Sequence, residues 1–122
     1  PSEILFNSGS YELELAGRSD LAQIAIVIRK ILKEIPDNID WLIRVDGHTD
    51  QTKVVSTVNF KDNWELSQAR ALSVVRYFVN VEGLPAKRFA AAGFGEFQPI
   101  ELGGSEKALA RNRRIEIKLT ER

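Results

Sequence analysis

The most constraining feature of this sequence is a single apolar stripe with helical spacing near the amino terminus. Its members recur every three or four residues and are Leu21, Ile24, Ala25, Ile28, Leu32 and Ile35. This spacing places all of them on one face of an amphipathic helix, which we predict over about residues 15–35. Pro36 ends the pattern, because proline lacks an amide hydrogen and its ring clashes with the preceding turn. A helix with one apolar face needs a second layer of structure to pack against.

Strand-like segments supply that second layer. Alternating apolar residues predict one strand over Trp41–Val45 and another over Ile115–Leu119. Shorter apolar runs predict a first strand at Ile4–Phe6 and a third at Arg88–Ala92. In the last strand the other face carries charged residues, so we expect that side of the sheet to face water.

A second long helix is expected between the strands at 41–45 and 88–92. Asp62 and Glu65 have the spacing of a capping box, and the helix should close near Gly83. A short third helix is predicted over Glu106–Arg111. The resulting order, β-α-β-α-β-(α)-β, predicts an α/β two-layer sandwich. Its two long helices would cover one face of a four-stranded mixed sheet.

Composition limits the function classes. A length of 122 residues indicates one domain, spanning residues 1–122. The 17 basic and 17 acidic side chains cancel, which argues against nucleic acid as a partner. The absence of cysteine excludes disulfides and thiolate metal sites. No apolar run is long enough to span a bilayer, and the chain begins at Pro1 with no methionine. We therefore expect a fragment of a longer protein whose membrane anchor lies outside these residues.

One polar constellation follows the strand at 41–45. If that strand continued, Asp46, His48 and Asp50 would share a face, as a divalent metal site requires. The alternative is that the two carboxylates bind loop amides and the histidine is structural. Signatures of a serine nucleophile or a phosphate loop are absent from the sequence. The residues therefore give little support to nucleophilic catalysis and predict no cofactor, and a metal-dependent hydrolase is the less favoured, enzymatic alternative.

Arginines are the second polar feature. Arg70 lies inside the second predicted helix between Ala69 and Ala71, and these small neighbours should leave its guanidinium accessible. A guanidinium can bind a carboxylate or phosphate through two parallel hydrogen bonds. The basic run Arg111–Arg114 precedes the last strand, and pairing with nearby acids is its simplest role. Phe94 and Phe97 are expected to pack under their loop rather than to contact a ligand.

Together these segments resemble the OmpA-like (OmpA/MotB) peptidoglycan-binding domain. Five matching segments occur in order along the chain, and each alone would be weak. They are Phe6–Ser10, Gly47–Asp50, Asn63–Ser67 with Ala69–Ala71, Gly93–Gly95 with Gln98–Pro99, and Asn112–Glu116. The β-α-β-α-β-β topology of the family agrees with the predicted order of elements.

The resemblance implies a non-catalytic domain that binds the cell wall in the periplasm of Gram-negative bacteria. The implied partner is peptidoglycan, through the meso-diaminopimelate of its stem peptide, whose free end carries an ammonium and a carboxylate on one carbon. By family likeness, Asp50 binds that ammonium and Arg70 binds the carboxylate. The further implied residues are Thr52, Asn63 and Arg113 lining the pocket, Ser8 and Gly9 offering backbone groups, and Gly47 and His48 as structural support.

The connection over residues 51–62 distinguishes two branches of the family. It is longer than the matching loop of the outer-membrane porin branch, and no glycine follows Thr52. With the segment Asn63–Ser67, it is more similar to MotB, the stator subunit that anchors a motor channel to the wall. A flagellar-motor-type stator anchor therefore stays open as an alternative. The parent protein is expected in the inner or outer membrane, and a homodimer also stays open.

Overall fold

The computed structural model describes residues 13, 15–52 and 60–121, and the fold below refers to these. Helix α1 (Leu15–Glu34) precedes strand β1 (Trp41–His48). Helix α2 (Asn63–Arg76) leads to strand β2 (Phe89–Gly93), and helix α3 (Glu106–Asn112) leads to strand β3 (Arg114–Glu121). The predicted order of elements is confirmed from the first helix onward. The strand expected at Ile4–Phe6 lies outside the described residues.

The described strands form one mixed sheet in the order β2-β1-β3. Strand β1 pairs in parallel with β2, since α2 carries the chain back to the same end of the sheet, and it pairs antiparallel with β3. Gly47 of β1 stands opposite Gly93 of β2 and Ile115 of β3. The central strand therefore ends between two neighbours that can each contribute side chains to the loop that follows it.

The apolar core lies on the sheet face that both long helices cover. Side chains at alternate positions of β1 meet the predicted stripe of α1 and the apolar face of α2. The buried members are Leu21, Ala25, Ile28, Trp41, Ile43, Val45, Ala71, Val74, Tyr77, Phe78 and Leu84. This burial, and not helix propensity, supplies most of the stability of such helices.

Local chemistry sets both ends of α2. The carboxylate of Asp62 accepts from the amide of Glu65 at 3.0 Å, as the capping-box spacing predicts. The Glu65 carboxylate reaches back to the amide of Lys61 at 3.0 Å instead of that of Asp62. Beyond Arg76 the helix continues as a π-helical turn, and Gly83 ends it with a φ of 71° that favours glycine.

Two expectations about the strands were wrong. Arg88 was expected to begin the third strand, but it lies in a short 3₁₀ turn over Ala86–Arg88 and is buried. Its guanidinium donates to the carbonyls of Asp37, Ile39 and Trp41 at 3.0–3.1 Å, which draws it inward.

Leu119 was expected to be buried with Ile115 and Ile117, but it is 54% exposed. Among the described strands β3 is an outer one, and the extensive contacts of α2 with the sheet are to β1 and β2. The far end of β3 therefore extends beyond the cover that α2 provides.

Charged side chains cover the other face of the sheet. Arg44 donates to both carboxylate oxygens of Asp46, at 2.7 and 2.9 Å. Glu116, opposite Asp46 on β3, is paired with Arg114 and with Lys118. The prediction of a polar face on the last strand is therefore confirmed. These pairs lie within single strands, and Lys118 of β3 also reaches Asp46 of β1 at 3.8 Å.

No helix within the described ranges is long and apolar enough to cross a membrane.

Candidate functional site

The candidate site lies where β1 ends, because several loops converge there. The amide of Thr49 donates to the carbonyl of Gly95 at 2.9 Å, and the amide of Phe94 donates to that of Gly47, also at 2.9 Å. These bonds tie the loop after β1 to the loop after β2. Loops at the carboxyl ends of strands are where α/β folds place their ligand-binding groups.

Glycine at position 47 allows α2 to approach this end of the sheet. A Cβ atom built on Gly47 would lie 2.2 Å from the carbonyl oxygen of Ser67 in α2, closer than any real contact. Ser67 is fully buried, and its hydroxyl oxygen accepts from the amide of Gly95 at 3.0 Å. The position of Gly47 thus fixes how near α2 and its polar residues come to the end of β1.

Asp50 is the central carboxylate of the site. It is buried, yet both of its oxygens are bound: Oδ1 accepts from the amide of Thr52 at 2.8 Å, and Oδ2 accepts from Nη1 of Arg113 at 2.6 Å. Arg113 also donates through Nη2 to Glu106 at 2.9 Å. A short charge-assisted bond of this kind holds a buried carboxylate in one orientation.

Asn63 joins α2 to the loop that carries Asp50. Its side-chain nitrogen lies 3.0 Å from the carbonyl oxygen of Thr52, 3.4 Å from that of Asp50 and 3.3 Å from Oε1 of Glu96. The residue is the first of α2 and is buried, whereas Thr52 is exposed. The structure therefore brings four predicted residues, Asp50, Thr52, Asn63 and Arg113, into one bonded cluster.

Arg70 lies on the same face of α2 as Asn63. It follows Asn63 by seven residues, which is about two turns or roughly 10 Å along the helix axis. The expectation that its guanidinium would be accessible was wrong, since the residue is 5% exposed. The reason is that this helix face, which also carries Leu66 and Ser67, is buried against the rest of the domain.

Other predicted residues of the site lie outside the described part of the chain. Ser8 and Gly9 belong to the amino-terminal range that is not described, and the same is true of residues 53–59, which form most of the long connection. Their predicted roles stay predictions.

His48 is buried beside the cluster. Its ring stacks on Phe94 with a centroid distance of 5.0 Å, and among the described residues neither ring nitrogen has a hydrogen-bond partner. Nε2 lies 3.6 Å from a carboxylate oxygen of Glu116, beyond hydrogen-bond distance. Burial lowers the pKa of His48, and the positive charge of Arg114 lowers it further. His48 therefore favours the neutral form.

The metal-site alternative finds no support in this geometry. Both oxygens of Asp46 accept from Arg44, and Asp50 is bound by Arg113. No cluster of three or more histidine, aspartate or glutamate side chains that could hold a metal ion occurs in the described ranges.

Two residues of the cluster were missed by sequence reasoning, namely Glu96 and Glu106. Each is an acidic residue in a polar segment, and nothing in its local pattern separates it from a solvated surface charge. Their partners Asn63 and Arg113 lie 33 and 7 positions away. The one available signal was the position of Glu96 directly after the segment Gly93–Gly95.

Comparison with known proteins decides the family. The model of the OmpA family matches residues 5–113, which includes every residue of the bonded cluster. The chain belongs to the OmpA family.

Known proteins are similar to this chain over almost its whole length. Uncharacterized protein YtxE of Bacillus subtilis is 38% identical over 114 residues, which is 93% of this chain and 43% of that protein. The chain thus spans less than half the length of this curated relative. A putative MotB-like protein from Desulfovibrio vulgaris has a similar structure, with a TM-score of 0.84 and 34% identity. That match covers 100% of this chain and 70% of the other.

A second similar structure is the cell wall anchor of the type VI secretion system (T6SS) from Pseudomonas aeruginosa. Its TM-score is 0.80 at 32% identity, and the match covers 98% of this chain and 76% of that one. Together with the MotB-like structure, it confirms an α/β fold with a mixed sheet.

Proposed function

We propose that this chain is a single, non-catalytic module that binds peptidoglycan and so anchors its parent protein to the cell wall in the periplasm. The observation that carries the proposal is the buried carboxylate of Asp50, held by Arg113 and Thr52 beside the α2 face that bears Asn63 and Arg70. Similarity to the cell wall anchor from Pseudomonas aeruginosa supports it.

The ligand group that fits this site is the free end of diaminopimelate in the stem peptide. That end is a zwitterion, with an ammonium and a carboxylate on one carbon. In the proposed complex Asp50 accepts from the ammonium, and the guanidinium of Arg70 binds the carboxylate through two parallel hydrogen bonds. Asn63 offers a carboxamide that can both donate to and accept from a peptide group.

The existing bonds of Asp50 leave room for such a ligand. An ionised carboxylate offers about four acceptor positions, and within the described part of the chain the amide of Thr52 and the guanidinium of Arg113 use two of them. The ammonium can therefore add to the carboxylate without displacing Arg113, which keeps the side chain in position before the ligand arrives.

The expected affinity of one site is micromolar. Each charge-assisted hydrogen bond contributes on the order of 1.5–3 kcal/mol net, and the ordering of the ligand offsets part of that gain. A wall polymer presents many copies of the same stem peptide, so several weak sites in one assembly still hold it firmly.

The same geometry serves a flagellar-motor-type stator anchor. Similarity to the MotB-like structure from Desulfovibrio vulgaris favours this candidate for the parent protein. Either parent would use the Asp50 cluster in the same way, and either could present the domain as a monomer or a homodimer.

Sedimentation with purified sacculi that contain diaminopimelate tests the proposal. We expect the unaltered chain to sediment with sacculi, and we expect Asp50→Asn and Arg70→Gln to lose at least tenfold in binding. Asp20→Asn and Arg111→Gln remove the same charges from exposed positions and serve as matched controls. Because Asp50 and Arg70 are buried, circular dichroism must first show that both variants are folded.

Free diaminopimelate should compete with the sacculi, and walls in which lysine replaces diaminopimelate should bind weakly. Folded Asp50 and Arg70 variants that sediment like the controls would rule out the proposed site. Equal binding to both wall types would contradict the specificity for diaminopimelate.

A further inference from the structure

An exposed aromatic pair borders the candidate site. Trp64 and Phe97 are 54% and 53% exposed, and their rings contact each other with a centroid distance of 4.5 Å and an angle of 34°. The sequence predicts that Phe97 packs under its loop, but the ring lies at the surface against Trp64. Phe94, the other aromatic of that loop, does pack inward on His48. We call Trp64 and Phe97 the aromatic platform.

The platform is built onto the same two segments as the cluster around Asp50. Trp64 directly follows Asn63, and Phe97 directly follows Glu96, whose carboxylate lies 3.3 Å from the Asn63 side chain. Gly95 has a φ of 65°, and a Cβ atom built there would lie 3.1 Å from Cδ1 of Trp64. The absence of that side chain lets the indole lie against the loop. The platform is therefore continuous with the proposed peptide site.

The size of the platform decides between possible occupants. Two half-exposed aromatic rings offer roughly 200 Å² of apolar surface. A stable dimer buries about 800 Å² on each partner, so a second copy of the chain would need far more contact than this pair offers. One sugar ring, in contrast, covers about the area of one or two aromatic faces.

We propose that the aromatic platform binds a sugar ring of the glycan strand while the attached stem peptide occupies the Asp50 site, an inference that rests on the proposed function. A pyranose ring presents a face of C–H bonds, which carry partial positive charge, and the face of an aromatic ring carries partial negative charge. The hydroxyl and acetamido groups at the sugar's edge need polar partners. Glu96 and Gln98, which flank Phe97 in the chain, are such partners.

Tryptophan fluorescence provides a direct measurement, because the chain contains two tryptophans in contrasting environments. Trp41 is 4% exposed and lies beneath the guanidinium of Arg88, whereas Trp64 faces solvent. A change in emission on adding a sugar ligand therefore reports on Trp64. The probe is peptide-free glycan strands, prepared from sacculi with an amidase.

We expect the strands to change the emission of the unaltered chain in a saturable way. Phe97→Ala should raise the concentration for half-saturation about five- to tenfold, and Trp64→Ala should abolish the response. Leu102→Ala, which removes an 86% exposed apolar side chain from the same loop, is the matched control and should leave the response unchanged.

The inference is overturned if glycan strands do not change the emission of the unaltered chain, or if Phe97→Ala responds as strongly as Leu102→Ala. A second copy of the chain occupies the platform if the emission without ligand depends on protein concentration and Phe97→Ala removes that dependence. This result also overturns the inference.

Calorimetric titration with free diaminopimelate separates this inference from the proposed function. Diaminopimelate binding without a glycan response overturns the platform and leaves the peptide site standing. A glycan response without diaminopimelate binding supports the platform and overturns the proposed peptide ligand.

Discussion

Arg113 donates a 2.6 Å hydrogen bond to Oδ2 of Asp50, and the two residues lie 63 positions apart in the chain. One comes from the loop after the central strand, and the other lies between α3 and β3. A single charge-assisted bond thus joins the second and the fifth of the segments that resemble the family. It also sets the orientation of the carboxylate on which the proposed function depends.

The first prediction concerns the strength of this pair. A double-mutant cycle of Asp50→Asn and Arg113→Gln should give a coupling free energy of about 1–2 kcal/mol in the free energy of unfolding, because both groups are largely shielded from water. The exposed pair Arg111–Glu101, at 3.3 Å, is the matched control and should give less than about 0.5 kcal/mol. Urea denaturation of the two cycles measures both values. Equal coupling in the two pairs would show that Asp50 is not held by Arg113 in solution.

The second prediction concerns Gly47. Gly47→Ala should lower the free energy of unfolding by about 3 kcal/mol, because the new methyl group would overlap the carbonyl of Ser67 and force α2 away from the sheet. Gly104→Ala is the control, since its Cβ would lie 3.4 Å from the end of the flexible Gln51 side chain. We expect the control to change stability by less than about 0.5 kcal/mol. A Gly47 variant as stable as this control would contradict the close approach of α2.

The third prediction concerns pH. Burial lowers the pKa of His48 below its ordinary value of 6.5, so the unfolded chain takes up a proton more readily than the folded one. The stabilisation that His48 contributes is complete above about pH 6.5. It is lost as the pH falls through the lowered pKa that His48 has in the folded state. The thermal midpoint should therefore fall by a few degrees between about pH 7.5 and about pH 5.5.

His48→Gln should flatten this dependence, because glutamine does not titrate. The stability lost when Glu116 is protonated is lost at lower pH, since the hydrogen bond from Arg114 lowers the pKa of that carboxyl below 4.5. Differential scanning calorimetry at intervals through the range measures the effect. An unchanged slope in the variant would assign the dependence to other groups.

The fourth prediction concerns Arg88. Arg88→Met should lower the free energy of unfolding by about 2–4 kcal/mol, because three carbonyls lose their donor and the guanidinium leaves the face of Trp41. Lys87→Met changes an exposed neighbour and should have an effect within about 0.5 kcal/mol. Thermal or urea unfolding compares the two variants. A similar result for both would mean that the observed bonds of Arg88 contribute little.

Local patterns predicted those features that depend on near neighbours in the chain. The stripe of α1, the cap of α2 at Asp62 and the short helix after Ser105 were all predicted, because each is set by residues within about one to a few turns. The same patterns failed for Arg88 and Leu119. The burial of these two residues depends on how elements distant in the chain pack against them, and a local sequence pattern contains no information about that packing.

The sequence by itself determined the order of elements, the polar segment after β1 and the family to which the chain belongs. Only the tertiary structure decided that Asp50 pairs with Arg113, that Arg70 is buried and that Trp64 meets Phe97 at the surface. The physical reason is the distance along the chain over which each kind of interaction acts. Periodicity and capping act over a few residues, whereas these contacts join segments that meet only after α2 has packed on the sheet, at the separation that Gly47 allows.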